Sequence, residues 1–98
     1  MSNERRNFVR LKRRIRVIYK VIIDRYANPK VPPNISYTEV ISGNGLLLLS
    51  PKEIKNGTRL EMTIELNDNE EIEVVGEVIG FNKIGENEYE IRIKYTDI

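Results

Sequence analysis

The chain has 98 residues, 40% hydrophobic and 32% charged: enough apolar content for one core of modest size and too much for a disordered segment. It has no cysteine and no histidine, which excludes a disulfide framework, thiolate or imidazole metal sites and serine–histidine triads together. The net charge of +1 is unevenly divided, since residues 1–30 hold ten Lys/Arg against Glu4 and Asp24 whereas residues 31–98 hold six against thirteen Asp/Glu.

The opening Met-Ser-Asn-Glu-Arg-Arg lacks the apolar core of a signal peptide. The longest apolar run, Gly45 to Leu49, is far short of the roughly 20 residues of a membrane span, so a cytoplasmic protein without a membrane span is expected. Residues 1–13 carry no period and read as a flexible basic arm, with Arg5, Arg6 and Arg10 in it. Phe8 and Val9 argue against a purely solvated tail. The arm's charge suits an anionic partner or pairing with acidic strands of the same chain, and the two are compatible.

From Arg14 to Asp24 the residues alternate in steps of two. Ile15, Val17, Tyr19, Val21 and Ile23 share a face predicted to be buried, and the other face mixes Arg14, Arg16 and Lys20 with Ile18 and Ile22. Asn28-Pro29 and Pro32-Pro33 make residues 25–34 a loop. Ile35–Ile41 and Gly45–Leu49 read as strands that meet at Ser42-Gly43-Asn44-Gly45. Asn-Gly favours a tight hairpin because both residues tolerate positive φ, and the plain reading is a turn alone. The other reading is a weak anion site: Gly43 and Gly45 leave backbone amides uncovered, and Ser42 adds a hydroxyl. Such a site needs a cation, which Arg5 to Arg10 could supply.

Ser50-Pro51-Lys52-Glu53 has the form of a capping box, predicting one short helical turn near residues 51–56 that Gly57 ends. Thr58–Leu66 alternates with Leu60, Met62, Ile64 and Leu66 inward, and Asn67–Asn69 is a turn. Glu71–Phe81 places Ile72, Val74 and Val78 on one face, with Gly76 and Gly80 in phase as marks of bulges or bends. After a hairpin over 83–87, Tyr89, Ile91, Ile93 and Tyr95 form the inner face of the last strand, with Glu90, Arg92 and Lys94 outside. Tyr19, Phe81, Tyr89 and Tyr95 fall mostly at core phase and read as packing. The expected fold is all-β: a six-stranded antiparallel barrel over 14–98 in a single domain spanning 1–98, with the basic arm at 1–13.

An arm with Arg-x-x-x-Arg (Arg6 and Arg10), a strand and loop, then x-x-Ser-x-x-Gly (Ser42 and Gly45) opening an apolar strand resembles a PilZ domain. Arg-Arg-x-Phe-x-Arg-Leu, Ile-Ser-Gly-x-Gly-Leu, Gly57-Thr58-x-Leu60, Gly76-x-Val78 and the closing strand to Tyr95 extend the likeness over nearly the whole chain. The resemblance implies a receptor for cyclic di-GMP, the bacterial second messenger, that needs no cofactor. It also implies a protein partner or neighbouring domain in motility or exopolysaccharide machinery. Arg6 and Arg10 would hold the nucleotide, because arginine's planar fork suits phosphate oxygens and the O6/N7 edge of guanine. Arg5 could add a phosphate contact, Ser42 a hydroxyl, and Gly45 close approach. The family has Asp or Asn two residues before the serine, where this chain has Val40. Asn44 could substitute from the turn, and Glu39 only if a bulge intervenes. Arg92 likewise stands where a glycine is usual. Two other readings remain: a degenerate module that binds protein and no nucleotide, and a nucleic-acid-binding barrel using Lys12, Arg13, Arg14 and Arg16. Nothing in the residues points to an enzyme or a metal site.

Overall fold

The computed structural model describes residues 9–23 and 26–97, with side chains over 13–23 and 27–96. Its strands are β1 (Val9–Ile23), β2 (Tyr26–Ala27), β3 (Asn34–Ile41), β4 (Gly45–Ser50), β5 (Arg59–Asn67), β6 (Glu70–Gly85) and β7 (Glu88–Asp97). β2 is a two-residue appendage on the end of β1. The six others form an antiparallel barrel in the order β1-β3-β4-β7-β6-β5, closed by pairing of β5 back onto β1. β1 makes the closure by serving two neighbours. Ile15–Tyr19 pairs with Thr38–Asn34 on one side, and Arg16–Ile22 with Glu65–Arg59 on the other. Closure leaves unpaired edges where strands overrun the barrel, at β2 and at the end of β6 beyond Glu77, among the described residues.

The alternating residues build the core. Ile15, Val17, Tyr19, Leu60, Met62, Ile64, Ile91 and Ile93 are all buried, joined by Leu46, Leu48, Val74 and Val78. Each such side chain contributes about 1.5–3 kcal/mol by leaving water. Gly76 and Gly80 each sit at a register shift between β6 and β7, the bulges their positions predict, and a third shift falls at Gly85 beside the β6–β7 turn. At Gly76 the space is taken: a Cβ there would lie 2.5 Å from Ile93 Cγ2.

Several expectations need correction. β1 starts at Val9, so residues 9–13 belong to a strand. Val21 and Ile23 are 41% and 74% exposed, because the end of β1 runs past the core to pair with β2. Ile72 is exposed close to the β5–β6 turn. Phe81 lies beyond the Val78/Gly80 bulge and is also exposed, its ring edge-on to Tyr89 at 6.2 Å. No helix occurs among the described residues, and the turn expected near 51–56 is a pair of bends and a tight turn. Ser50 closes a local ring, its hydroxyl donating to Lys52 O at 2.6 Å and accepting from Lys52 N at 3.3 Å. Thr58 N then donates to Lys55 O at 3.1 Å with Gly57 at φ 90°, the left-handed third position of a type II turn.

Candidate ligand-binding site

The Ser42–Gly45 turn is held by its serine. Ser42 N donates to Gly45 O at 2.9 Å, and the hydroxyl donates to the same carbonyl at 3.1 Å. The hydroxyl also accepts from Asn44 N and Gly45 N, each at 3.1 Å. One donor and two lone pairs are the whole capacity of a hydroxyl, so Ser42 is saturated by its own turn. That bonding replaces the left-handed backbone expected of Asn-Gly: among the described residues only Gly57 and Asn87 have positive φ. Asn44 O accepts from Tyr95 N at 2.8 Å and moors the turn to β7. Gly45 is buried against the β7 backbone, and a Cβ there would stand 1.9 Å from Ile93 O. The close approach Gly45 permits is thus between strands. Gly43 has nothing within 4 Å of a built Cβ and, like Asn44, is exposed.

Val40 owes its orientation to a bulge. Thr38 pairs with Leu48 and Val40 with Leu47, which leaves Glu39 as the extra residue. Thr38 pins the irregularity: its hydroxyl donates to Val40 O at 2.8 Å and accepts from Val40 N at 3.2 Å. Thr38 stays inside with Leu48, while Val40, though only 7% exposed, lies outside the core cluster. It lines an outer cavity of about 240 Å³ with Leu47, Asn82, Glu90 and Arg92. The cavity follows one row of paired positions across the sheet: Arg10 opposite Val40, Val40 opposite Leu47, Leu47 opposite Arg92, and Arg92 opposite Gly80. The two departures from the family pattern, Val40 and Arg92, therefore meet in one place. Asn82 and Glu90 are also opposite each other. Sequence reasoning passed over Asn82 and treated Glu90 only as an outward residue. The detectable signal was that Glu90 and Arg92 share a face of β7 two residues apart.

Arg5 and Arg6 lie outside the described residues. Of Arg10, the backbone pairing opposite Val40 is described. Of the basic run, the three residues whose side chains are described, Arg13, Arg14 and Arg16, are engaged with their own barrel. Arg13 donates to Leu66 O at 2.8 Å, Arg14 to Glu39 at 3.0 Å and Arg16 to Glu65 at 2.7 Å. The hydrogen bond and charge of Glu65 raise the pKa of Arg16. A larger cavity of about 630 Å³ on this side mixes the three arginines with Glu65, Asp68, Glu70 and Glu71. Such a surface is compensated, whereas a nucleic-acid groove is a continuous positive stripe.

A family model of the PilZ domain matches residues 4–98. The chain belongs to the PilZ family. PilZ domains are binding domains, known as receptors for cyclic di-GMP. No curated protein and no solved structure matches the chain. Among the described residues no helix is long and apolar enough to cross a membrane.

Proposed function

We propose that this PilZ domain binds cyclic di-GMP on the outer face of β3, β4 and β7, with Arg6 and Arg10 closing over the nucleotide from the N-terminal side. The reading is supported above all by the β1–β3 register, which brings position 10 opposite position 40, two residues before Ser42. Twenty-nine residues lie between positions 10 and 40 in sequence, and the two positions are partners across one strand pair. Arg5 adds phosphate contact, and the exposed Gly43 and Asn44 form the lip. The nucleotide alters how the N-terminal segment meets a partner protein or neighbouring domain in the bacterial cytoplasm, and the domain performs no chemistry of its own. Replacing Arg6 or Arg10 by Ala should weaken cyclic di-GMP binding by about 1.5–3 kcal/mol, the scale of hydrogen bonds to charged groups. The melting temperature should stay near that of the wild type, since the backbone pairing of position 10 survives. Calorimetric titration of each variant, beside its thermal melt, tests this. Wild-type affinity in both variants would remove the clamp.

A second reading is a module that has lost the nucleotide and retained only protein contacts. Two observations favour it: Val40 offers no hydrogen bond, and the Ser42 hydroxyl is consumed by its own turn.

A further inference from the structure

The carboxylate missing at position 40 has a counterpart across the cavity. Glu90 and Arg92 leave β7 on the same face and line the same 240 Å³ space as Val40 and Leu47. They do not pair with each other: among the described residues the ion pairs are Arg14–Glu39 and Arg16–Glu65. The Arg92 guanidinium extends over Gly80, where a Cβ would stand 3.4 Å from Nη1, and Glu90 is half-buried. The cavity thus combines an apolar floor, a carboxylate and a planar guanidinium. At about 240 Å³ it is smaller than the ~300–1,000 Å³ of pockets that hold a whole ligand, so it takes only a part of one.

Resting on the reading above, we infer that Glu90 and Arg92 recognise one guanine of the nucleotide, with Val40 and Leu47 against its flat face. A guanine presents N1–H and N2–H₂ donors on its Watson–Crick edge and O6/N7 acceptors on the other. A carboxylate is an acceptor for the first pair, and an arginine fork donates to the second. Glu90 supplies from β7 the acceptor that family members supply from β3, which is how the site tolerates valine at position 40. Adenine reverses the polarity, with an acceptor at N1 and a donor at N6, so Glu90 rejects it.

The test is calorimetric titration of the whole chain and of Glu90→Gln with cyclic di-GMP and with cyclic di-AMP. Glu90→Gln keeps the shape and replaces one acceptor oxygen by a donor. The wild type should prefer cyclic di-GMP. The variant should bind cyclic di-GMP about tenfold or more weakly, the loss of a charge-assisted hydrogen bond. Its preference over cyclic di-AMP should shrink, which a merely structural residue would not cause. Cyclic di-GMP affinity within twofold of wild type, or an equal fall for both nucleotides, overturns the inference and leaves the receptor reading standing. A wild type that binds neither nucleotide overturns both. Arg92→Ala should also weaken cyclic di-GMP binding, and a variant that binds as tightly as wild type removes the arginine from the proposal.

Discussion

Gly45 carries the strictest steric demand in the site region. Its hypothetical Cβ would overlap the Ile93 carbonyl, which is backbone and cannot rotate away. Gly45→Ala should therefore destabilise the fold by about 3 kcal/mol or more, while Gly43→Ala, with open space around it, should cost under about 1 kcal/mol. Urea unfolding of the two variants checks the contrast, and equal losses would contradict it. Tyr95 makes a different demand. Burial pushes its phenol from 10.0 up to about 12, so the folded chain holds the proton more tightly than the unfolded one. The associated stability is fully present below pH 10 and is lost as pH rises from 10 through 12. Its size is about 1–2 kcal/mol after allowing for partial exposure. Tyr95→Phe keeps the ring and removes the titration, so melts between pH 8 and 12 should show a shallower alkaline decline in the variant. An identical decline would place the titrating groups elsewhere.

At the scale of elements, the β3–β4 hairpin decides what the site can be. The Glu39 bulge turns residue 40 outward while Thr38 and Ile41 remain against the core. Val40→Asp should then place its carboxylate beside Asn82, Glu90 and Arg92, where the attraction of Arg92 offsets the like charge of Glu90, and cost about 1–2 kcal/mol. Leu48→Asp, in the fully buried interior, should cost several kcal/mol or prevent folding. Chemical denaturation of both variants measures the difference, and a Val40→Asp loss as large as that of Leu48→Asp would mean residue 40 faces inward. This hairpin also marks the limit of what the sequence conveys. Step-two alternation identified Ile15, Val17, Tyr19, Leu60, Met62, Ile64, Ile91 and Ile93, because burial on one face of a strand imposes that period. Gly76 and Gly80 likewise announced bulges. The bulge at Glu39 had no such sign, since it is made by a threonine hydroxyl bonding to the backbone two residues on. Nor could alternation say where β1 leaves the barrel, so Val21 and Ile23 keep the pattern of a core they do not enter. The capping-box signature at Ser50 misled for a related reason: the hydroxyl that could cap a helix closes a tighter ring with Lys52.

Over the whole molecule, the charge asymmetry of the sequence resolves into two parts. Arg14 and Arg16 are neutralised by Glu39 and Glu65 of the same barrel, exposed pairs that water and salt screen and that contribute little to stability. The positive charge of Arg5, Arg6 and Arg10 is what the receptor reading assigns to an anionic ligand. The register that pairs position 10 with position 40 connects that charge to the row ending at Arg92. The fold thus brings into one row of paired backbone positions, 10, 40, 47 and 92, residues that the sequence scatters over about 80 positions. The most direct test is calorimetric titration of the wild-type chain with cyclic di-GMP at low and high salt. Saturable binding that weakens as ionic strength rises, as an arginine-held anion requires, is the predicted result. The absence of any saturable heat at low salt, from a chain whose thermal melt shows it folded, would contradict the receptor reading and leave a PilZ barrel that binds protein alone.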